Sequence, residues 1–468
     1  MSTGAPPDAV PAPPDSLDPR AHRSDDGAAE RLRRATAVPV AFLASALAVA
    51  CVPNAVGLVP DLVLIAAADE RFGGWAGLGV LAGTAAAALA LATMQRTGAG
   101  PALSLGAAAA VFGLTLGHQV GDAVQVRLAF LLLGLAVGGL LTGAAGMAFE
   151  LTGRLRSAVL LVWVIPLVSG WPVVAWVALH DAAGDTAQFA VHPPAWLLLP
   201  IVVTVVAWSA LSMLVEAPRA RFGAGPFALT PWTALLAVFG VAALVSMVIG
   251  FGDDIDVAWL RPLVIAFCGA LVVVLGALAS AVQVVAARAG YLALLVVALC
   301  YPASIQTLVA VTDAGDVRVT GPALAVLAAS AVVGVVAGWW RPMTACWLGL
   351  LGVAAAASGA WVIPDTPWPM VAAAAPLAAA AGAAAAAGVR LSTVSPLALR
   401  FAVLTVAGVV LLGVVLSVAL GWALGGELAA TTDDARAAGR VVLGLTVAAS
   451  VLVSGYLATL VPRLPKRR

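Results

Sequence analysis

Lysine is nearly missing from this chain of 468 residues: the only one is Lys466, third from the carboxyl end. A phosphate-binding loop that needs a buried lysine, or an enzyme working through a lysine Schiff base, has no residue to use. ATP-driven transport by this chain alone is thereby excluded. Charge of any kind is scarce too, at 10% of residues, where a soluble domain carries about 25%. Histidine and cysteine number four each (His22, His118, His180, His192; Cys51, Cys268, Cys300, Cys346), and they never cluster at ligand spacing. Every cysteine lies in an apolar run, so neither a metal site nor a disulfide scaffold is expected, and no cofactor is implied.

What the chain has in quantity is apolar surface, with 62% hydrophobic residues and a mean hydropathy of +1.06. It belongs in lipid rather than water, with the bilayer as its first partner and no nucleic acid expected. Residues 1–35 differ from the rest, holding six prolines and a basic close at Arg31, Arg33 and Arg34. Such a segment buries too little apolar surface to offset its ordering entropy and reads as a disordered cytoplasmic tail. It lacks the order of a signal peptide, because about 35 polar residues precede the first apolar run.

Apolar runs of about 20 residues then recur, each long enough to cross a hydrocarbon core of roughly 30 Å. Fourteen are expected, at Val38–Pro60, Gly74–Met94, Pro101–Val120, Arg127–Phe149, Ser157–His180, Ala195–Val215, Pro231–Gly250, Pro262–Val285, Gly290–Val311, Gly321–Trp340, Met343–Ile363, Trp368–Val389, Leu399–Leu424 and Arg440–Pro462. With the amino terminus inside, this count places 18 of the 24 basic residues on the cytoplasmic side and 15 of the 23 acids on the other. That bias follows the rule that cationic residues near span ends stay inside, and adding or deleting one helix would scramble it. The fold class is therefore an all-α polytopic membrane protein with both termini cytoplasmic. Arginine outnumbers lysine 23 to 1 and alanine is abundant, as in a GC-rich bacterial genome, so the bacterial inner membrane is the expected location.

Several stretches resemble the major facilitator superfamily in its fourteen-helix drug:proton antiporter form. VGLVPDLVLIAAADERFGGW looks like the end of that family's first helix and its external loop, with Pro60 and Asp61 at the Leu-Pro-acid step. ATMQRTGAGPALSLG resembles the loop between helices 2 and 3, with Arg96 and Gly98 matching and Gln95, Leu91, Ala99 and Gly100 departing from the pattern. FLLLGLAVGGLLTGAAG is similar to the glycine-rich helix 4, where Gly134 matches and Phe130 replaces an arginine. Helix 6 has Pro200 and ends Glu216, Pro218, Arg219, while the antiporter pattern of helix 5 survives only as Gly170 and Pro172 around Trp171. The resemblance implies two six-helix bundles (residues 36–220 and 289–468) flanking two extra helices (221–288), a monomer, and proton coupling.

Polar groups inside the spans are the functional candidates, because an ionisable side chain in lipid costs several kcal/mol. Asn54, Gln283, Tyr301 and Gln306 are candidates for the substrate pathway, and helix–helix hydrogen bonding explains the amides equally well. Tyr301 precedes Pro302, and a proline frees a carbonyl that can line a cavity. Asp61, His118 and Asp122 are candidates for proton or ion coupling, with solvated helix ends as the plain alternative. Family layout makes Arg96 and Gly98 a cytoplasmic gate, and Glu150 is the carboxylate expected to pair with Arg96 in place of the missing aspartate. Pro166, Gly170 and Pro172 are candidates for a helix-5 hinge, with a bend that only accommodates packing as the equal alternative. The pairs Gly134/Gly138, Gly139/Gly143 and Gly334/Gly338 are spaced for close helix approach.

The expected activity is secondary-active transport by alternating access, with efflux as the direction. No arginine lies at mid-depth, so hydrophobic or amphipathic small molecules, or lipids, are favoured over strongly charged substrates. Two other classes remain open: a non-transporting scaffold or sensor, and a lipid-linked-sugar glycosyltransferase, whose support is Asp69-Glu70 in the first external loop.

Overall fold

The computed structural model describes residues 19–55, 76–118, 123–180, 195–214, 266, 270, 273–313, 321–362, 367–425 and 432–460. The long elements among them are all α-helices: α1 (Pro19–Ala55), α2 (Ala76–Thr97), α3 (Gly100–His118), α4 (Ala123–Glu150), α5 (Gly153–His180), α6 (Ala195–Leu214), α7 (Val285–Asp313), α8 (Gly321–Trp340), α9 (Pro342–Val362), α10 (Pro367–Ser392), α11 (Pro396–Gly425) and α12 (Thr432–Leu460). Ten hold a stretch long and apolar enough to cross a membrane, and α6 and α11 hold shorter apolar stretches, Leu198–Met213 and Ala398–Gly413. Helices are the expected solution, because hydrocarbon offers no partner to backbone N–H and C=O groups.

Twelve of the fourteen expected spans coincide with these helices. The other two, Pro231–Gly250 and Pro262–Val285, lie outside the described residues apart from 266, 270 and a helical turn at 273–278. That turn runs into a 3-10 turn, Ala279–Ala281, and an extended Val282 before α7. A count of fourteen is thus not reached among the described residues. One boundary moves substantially: α1 begins at Pro19, inside the segment expected to be disordered. The tail's own charges hold its last turns in place, since Glu30 accepts from Arg33 and Arg34 one turn on.

The face at which α1 begins is called here the near face. All four short described connections lie on it: residues 98–99, residues 151–152, Arg341 alone, and residues 393–395. Gly98 and Gly153 take positive φ at two of these turns (75° and 59°), where a Cβ would be strained.

The two halves repeat one packing scheme. In the first, α4 packs against α1, α2 and α3; in the second, α10 packs against α7, α8 and α9. Likewise α1 meets α5 and α6, and α7 meets α11 and α12. Between halves the roles cross over: α5 packs on α8, α10 and α7, and α11 packs on α2 and α4. This is the pattern of two six-helix bundles related by a pseudo-two-fold axis. The glycine pairs make the tightest seams. A Cβ on Gly134 or Gly138 would collide with the carbonyls of Gly79 and Gly83 on α2, and one on Gly334 or Gly338 with those of Ala379 and Ala383 on α10. Without a hydrophobic force between helices in lipid, such backbone approach supplies the packing attraction.

Candidate functional site

The inter-bundle surface of α5 is set by helical periodicity. Trp163, Leu167 and Trp171 recur every four residues and share one face. On α7, Leu294, Ala298 and Tyr301, spaced four and then three, also share one face, and the two faces meet across an apolar cavity of about 30 Å³. Ala385 of α10 with Val406 and Val410 of α11 complete its wall. Trp163 spends its indole N–H on the Leu141 carbonyl of α4 (3.0 Å), which leaves the ring to the cavity. Tyr301, buried on α7, donates its hydroxyl to the Val168 carbonyl of α5 at 2.9 Å, a hydrogen bond from one bundle to the other. A water needs about 10–15 Å³ of such space, so the cavity has room for about two.

A second polar centre lies at the near face of the first bundle. The Arg33 guanidinium, 1% exposed, donates to both Glu30 oxygens (2.7 and 3.1 Å) and to Glu150 Oε2 at 2.6 Å. Glu150, 3% exposed, accepts from the Ala99 N–H at 2.5 Å through its other oxygen. The left-handed Gly98 stands beside it, and a Cβ there would come within 2.9 Å of Glu150 Oε1. Trp208 of α6 donates to the Arg33 carbonyl at 3.1 Å. This cluster ties α1, α4, α6 and the α2–α3 turn together, all within one half. Charge-assisted bonds of this kind are strong, and the buried charges need one another.

The residues singled out in the sequence fall into distinct groups. Tyr301 lines the cavity. Pro166 and Pro172 are buried in α5, which runs unbroken through both, and a Cβ on Gly170 would stand 3.1 Å from the Val49 side chain of α1. Gln283 does not join them: it is exposed in the link before α7, away from the cavity, because the helix expected to hold it ends earlier. Glu150 has Arg33 as its described cation. Asn54, Arg96, His118 and Gln306 sit on described helices, but their side chains lie outside the described residues, as do Asp61 and Asp122 entirely. No cluster of three metal-ligating side chains occurs among the described residues.

Sequence reasoning missed Trp163, Trp171 and Arg33. The spacing of the two tryptophans, eight residues apart between and beside prolines, was the available signal for the first two. Nothing local to Arg33 distinguishes it from its basic neighbours.

The architecture defines a class, a two-bundle all-helical fold, and comparison with solved structures agrees. No family model matches the chain, and no curated protein matches it. Among solved structures, the chain is similar to an auto-inhibited peptide transporter of the POT family, at 12% identity and a TM-score of 0.55, with 92% of this chain and 98% of that one covered. It is similar to the xylose transporter XylE from E. coli in a partially occluded inward-open conformation, at 12% identity and a TM-score of 0.55, covering 92% and 99%. A structure from work on substrate recognition in proton-dependent oligopeptide transporters aligns at 13% identity and a TM-score of 0.54, covering 92% and 99%. The chain thus shares the fold of these solved structures.

Proposed function

We propose that this chain is a secondary-active transporter that moves a hydrophobic or amphipathic small molecule or lipid by alternating access, in the direction of efflux. The observation that carries this reading is the cavity where α5 and α7 meet, at the junction of the two bundles and lined almost wholly by apolar side chains. Rocking bundles would expose it to either side in turn. Its lining offers no guanidinium or carboxylate, which favours uncharged or amphipathic cargo. The arginines support near-face cytoplasmic termini. Arg20, Arg23, Arg31, Arg33, Arg34, Arg96, Arg154, Arg156, Arg288, Arg341, Arg390 and Arg400 lie toward near-face helix ends, against Arg127, Arg436 and Arg440 at the far ends among the described residues. Proton coupling through Asp61, His118 or Asp122, the Arg96 gate, and action as a monomer belong to the same proposal.

The test is flux in proteoliposomes, using a short-chain fluorescent phospholipid analogue and a neutral amphipathic dye, each with and without an imposed pH gradient. Gradient-dependent movement that falls about tenfold in the Trp163→Ala/Trp171→Ala variant supports the reading. Absence of movement for every probe overturns it in favour of a non-transporting scaffold.

A further inference from the structure

The hydrogen bond between the bundles has a cause in the sequence of both partner helices. Pro172 has no backbone N–H, so the carbonyl four residues earlier, Val168, loses its helical donor. That is the carbonyl to which Tyr301 donates across the interface at 2.9 Å. On α7, Pro302 does the same to the carbonyl of Ala298, which faces Gly413 of α11: a Cβ there would stand 3.1 Å from it. Pro302 and Ala298 both line the cavity. Around one apolar space, then, two carbonyls have lost their helical donors, and the lining supplies one hydroxyl.

We propose that the Tyr301 hydroxyl and the Val168 carbonyl are the polar subsite of the cavity, and that it takes an uncharged apolar molecule bearing a hydroxyl group. A hydroxyl both accepts and donates, so it inserts between the two partners: Tyr301 O–H donates to the ligand oxygen, and the ligand O–H donates to Val168. A direct bond joining the bundles is replaced by a bridged one, which parts α5 from α7 without leaving a buried group unpaired. An ether only accepts. It satisfies Tyr301 but strands the Val168 carbonyl, and a hydrocarbon satisfies neither. Binding favours the separated arrangement because only there does the ligand have room.

The assignment rests on reading the cavity as the substrate site, and its test is equilibrium binding, which requires no transport. Naphthylmethanol, its methyl ether and methylnaphthalene are dialysed against the full-length protein in detergent, with empty micelles as the partition control. The alcohol should bind about tenfold more tightly than either analogue, as one well-made buried hydrogen bond gives. Tyr301→Phe removes the donor to the ligand oxygen, so the ether and methylnaphthalene should bind within about twofold of one another, while the alcohol, which still donates to Val168, stays the tightest of the three. Pro172→Ala gives Val168 a helical N–H, so the ligand O–H is no longer needed there and the alcohol should bind within about twofold of the ether; as a helix-favouring change it keeps the test available if the tyrosine variant does not fold. Equal binding of the three probes by the wild-type chain, or an undiminished preference for the alcohol over the ether in Pro172→Ala, overturns the assignment. A preserved preference with no flux in vesicles keeps the subsite and removes the transporter reading; intact flux with no preference does the reverse.

Discussion

Arg33 and Glu150 are 117 positions apart, yet both are almost wholly enclosed, with the partly exposed Glu30 as the other carboxylate on Arg33. Removing Glu150 leaves the buried guanidinium with Glu30 alone and strands the Ala99 N–H, a loss of about 1–3 kcal/mol. Glu30, 20% exposed and one turn from Arg33, has a solvated alternative. We therefore expect Glu150→Ala to lower the thermal denaturation midpoint in detergent by several degrees more than Glu30→Ala, whose cost should stay near 1 kcal/mol or below. The charge swap Arg33→Glu/Glu150→Arg should recover part of the loss. Equal midpoints for the two alanine variants would refute this account of the cluster. The sequence carried no sign of the pairing: Arg33 belongs to a run of basic residues that positive-inside anchoring already explains. Tyr301, in contrast, was legible, because a neighbouring proline inside an apolar run signals a freed carbonyl and a place where a polar tip is useful.

At the scale of elements, hydropathy located the lipid-crossing part of each described helix, since length and apolar content are what the bilayer selects. It said nothing of how far a helix continues beyond the lipid, which is why α1 runs up to the chain's basic stretch and beyond it to Pro19. The glycine spacing also carried true packing information. Gly138 sits against the Gly83 backbone on α2, and Gly359 of α9 has nothing within 4 Å of its would-be Cβ. Gly138→Ala should destabilise by roughly 1–3 kcal/mol through overpacking. Gly359→Ala should be neutral or slightly stabilising, since alanine is the better helix former by about 1 kcal/mol. Thermal aggregation read by size-exclusion recovery separates the two; parity between them would show that the α2–α4 seam is not set by the glycine. The tryptophans of α5 stayed hidden at this scale, because an indole inside an apolar run looks alike whether it anchors, packs or lines a cavity.

For the whole molecule, the repeated packing scheme is the strongest regularity, and it was only partly visible from the sequence. Paired halves were implied by the family resemblance, while the crossing of α5 and α11 into the opposite bundle depends on side-chain shapes far apart in the chain. Alternating access requires these crossings to loosen. With the four native cysteines replaced by serine, Leu167→Cys on α5 and Leu294→Cys on α7 place thiols on opposite walls of the cavity. A short bifunctional thiol reagent should link them and stop flux, and a thiol reductant that cleaves the link should restore it. Flux that survives complete linkage would mean that the halves need not part.

The near-face connections also constrain how any such parting proceeds. Arg341 alone joins α8 to α9, and no described link on that side exceeds three residues. A junction that short has no slack, so two consecutive helices must tilt as one hairpin and carry their whole length with them. Motion at this end therefore works as a lever on coupled rods, and an epitope inserted at Arg341 would disturb a pair of helices at once rather than a loop.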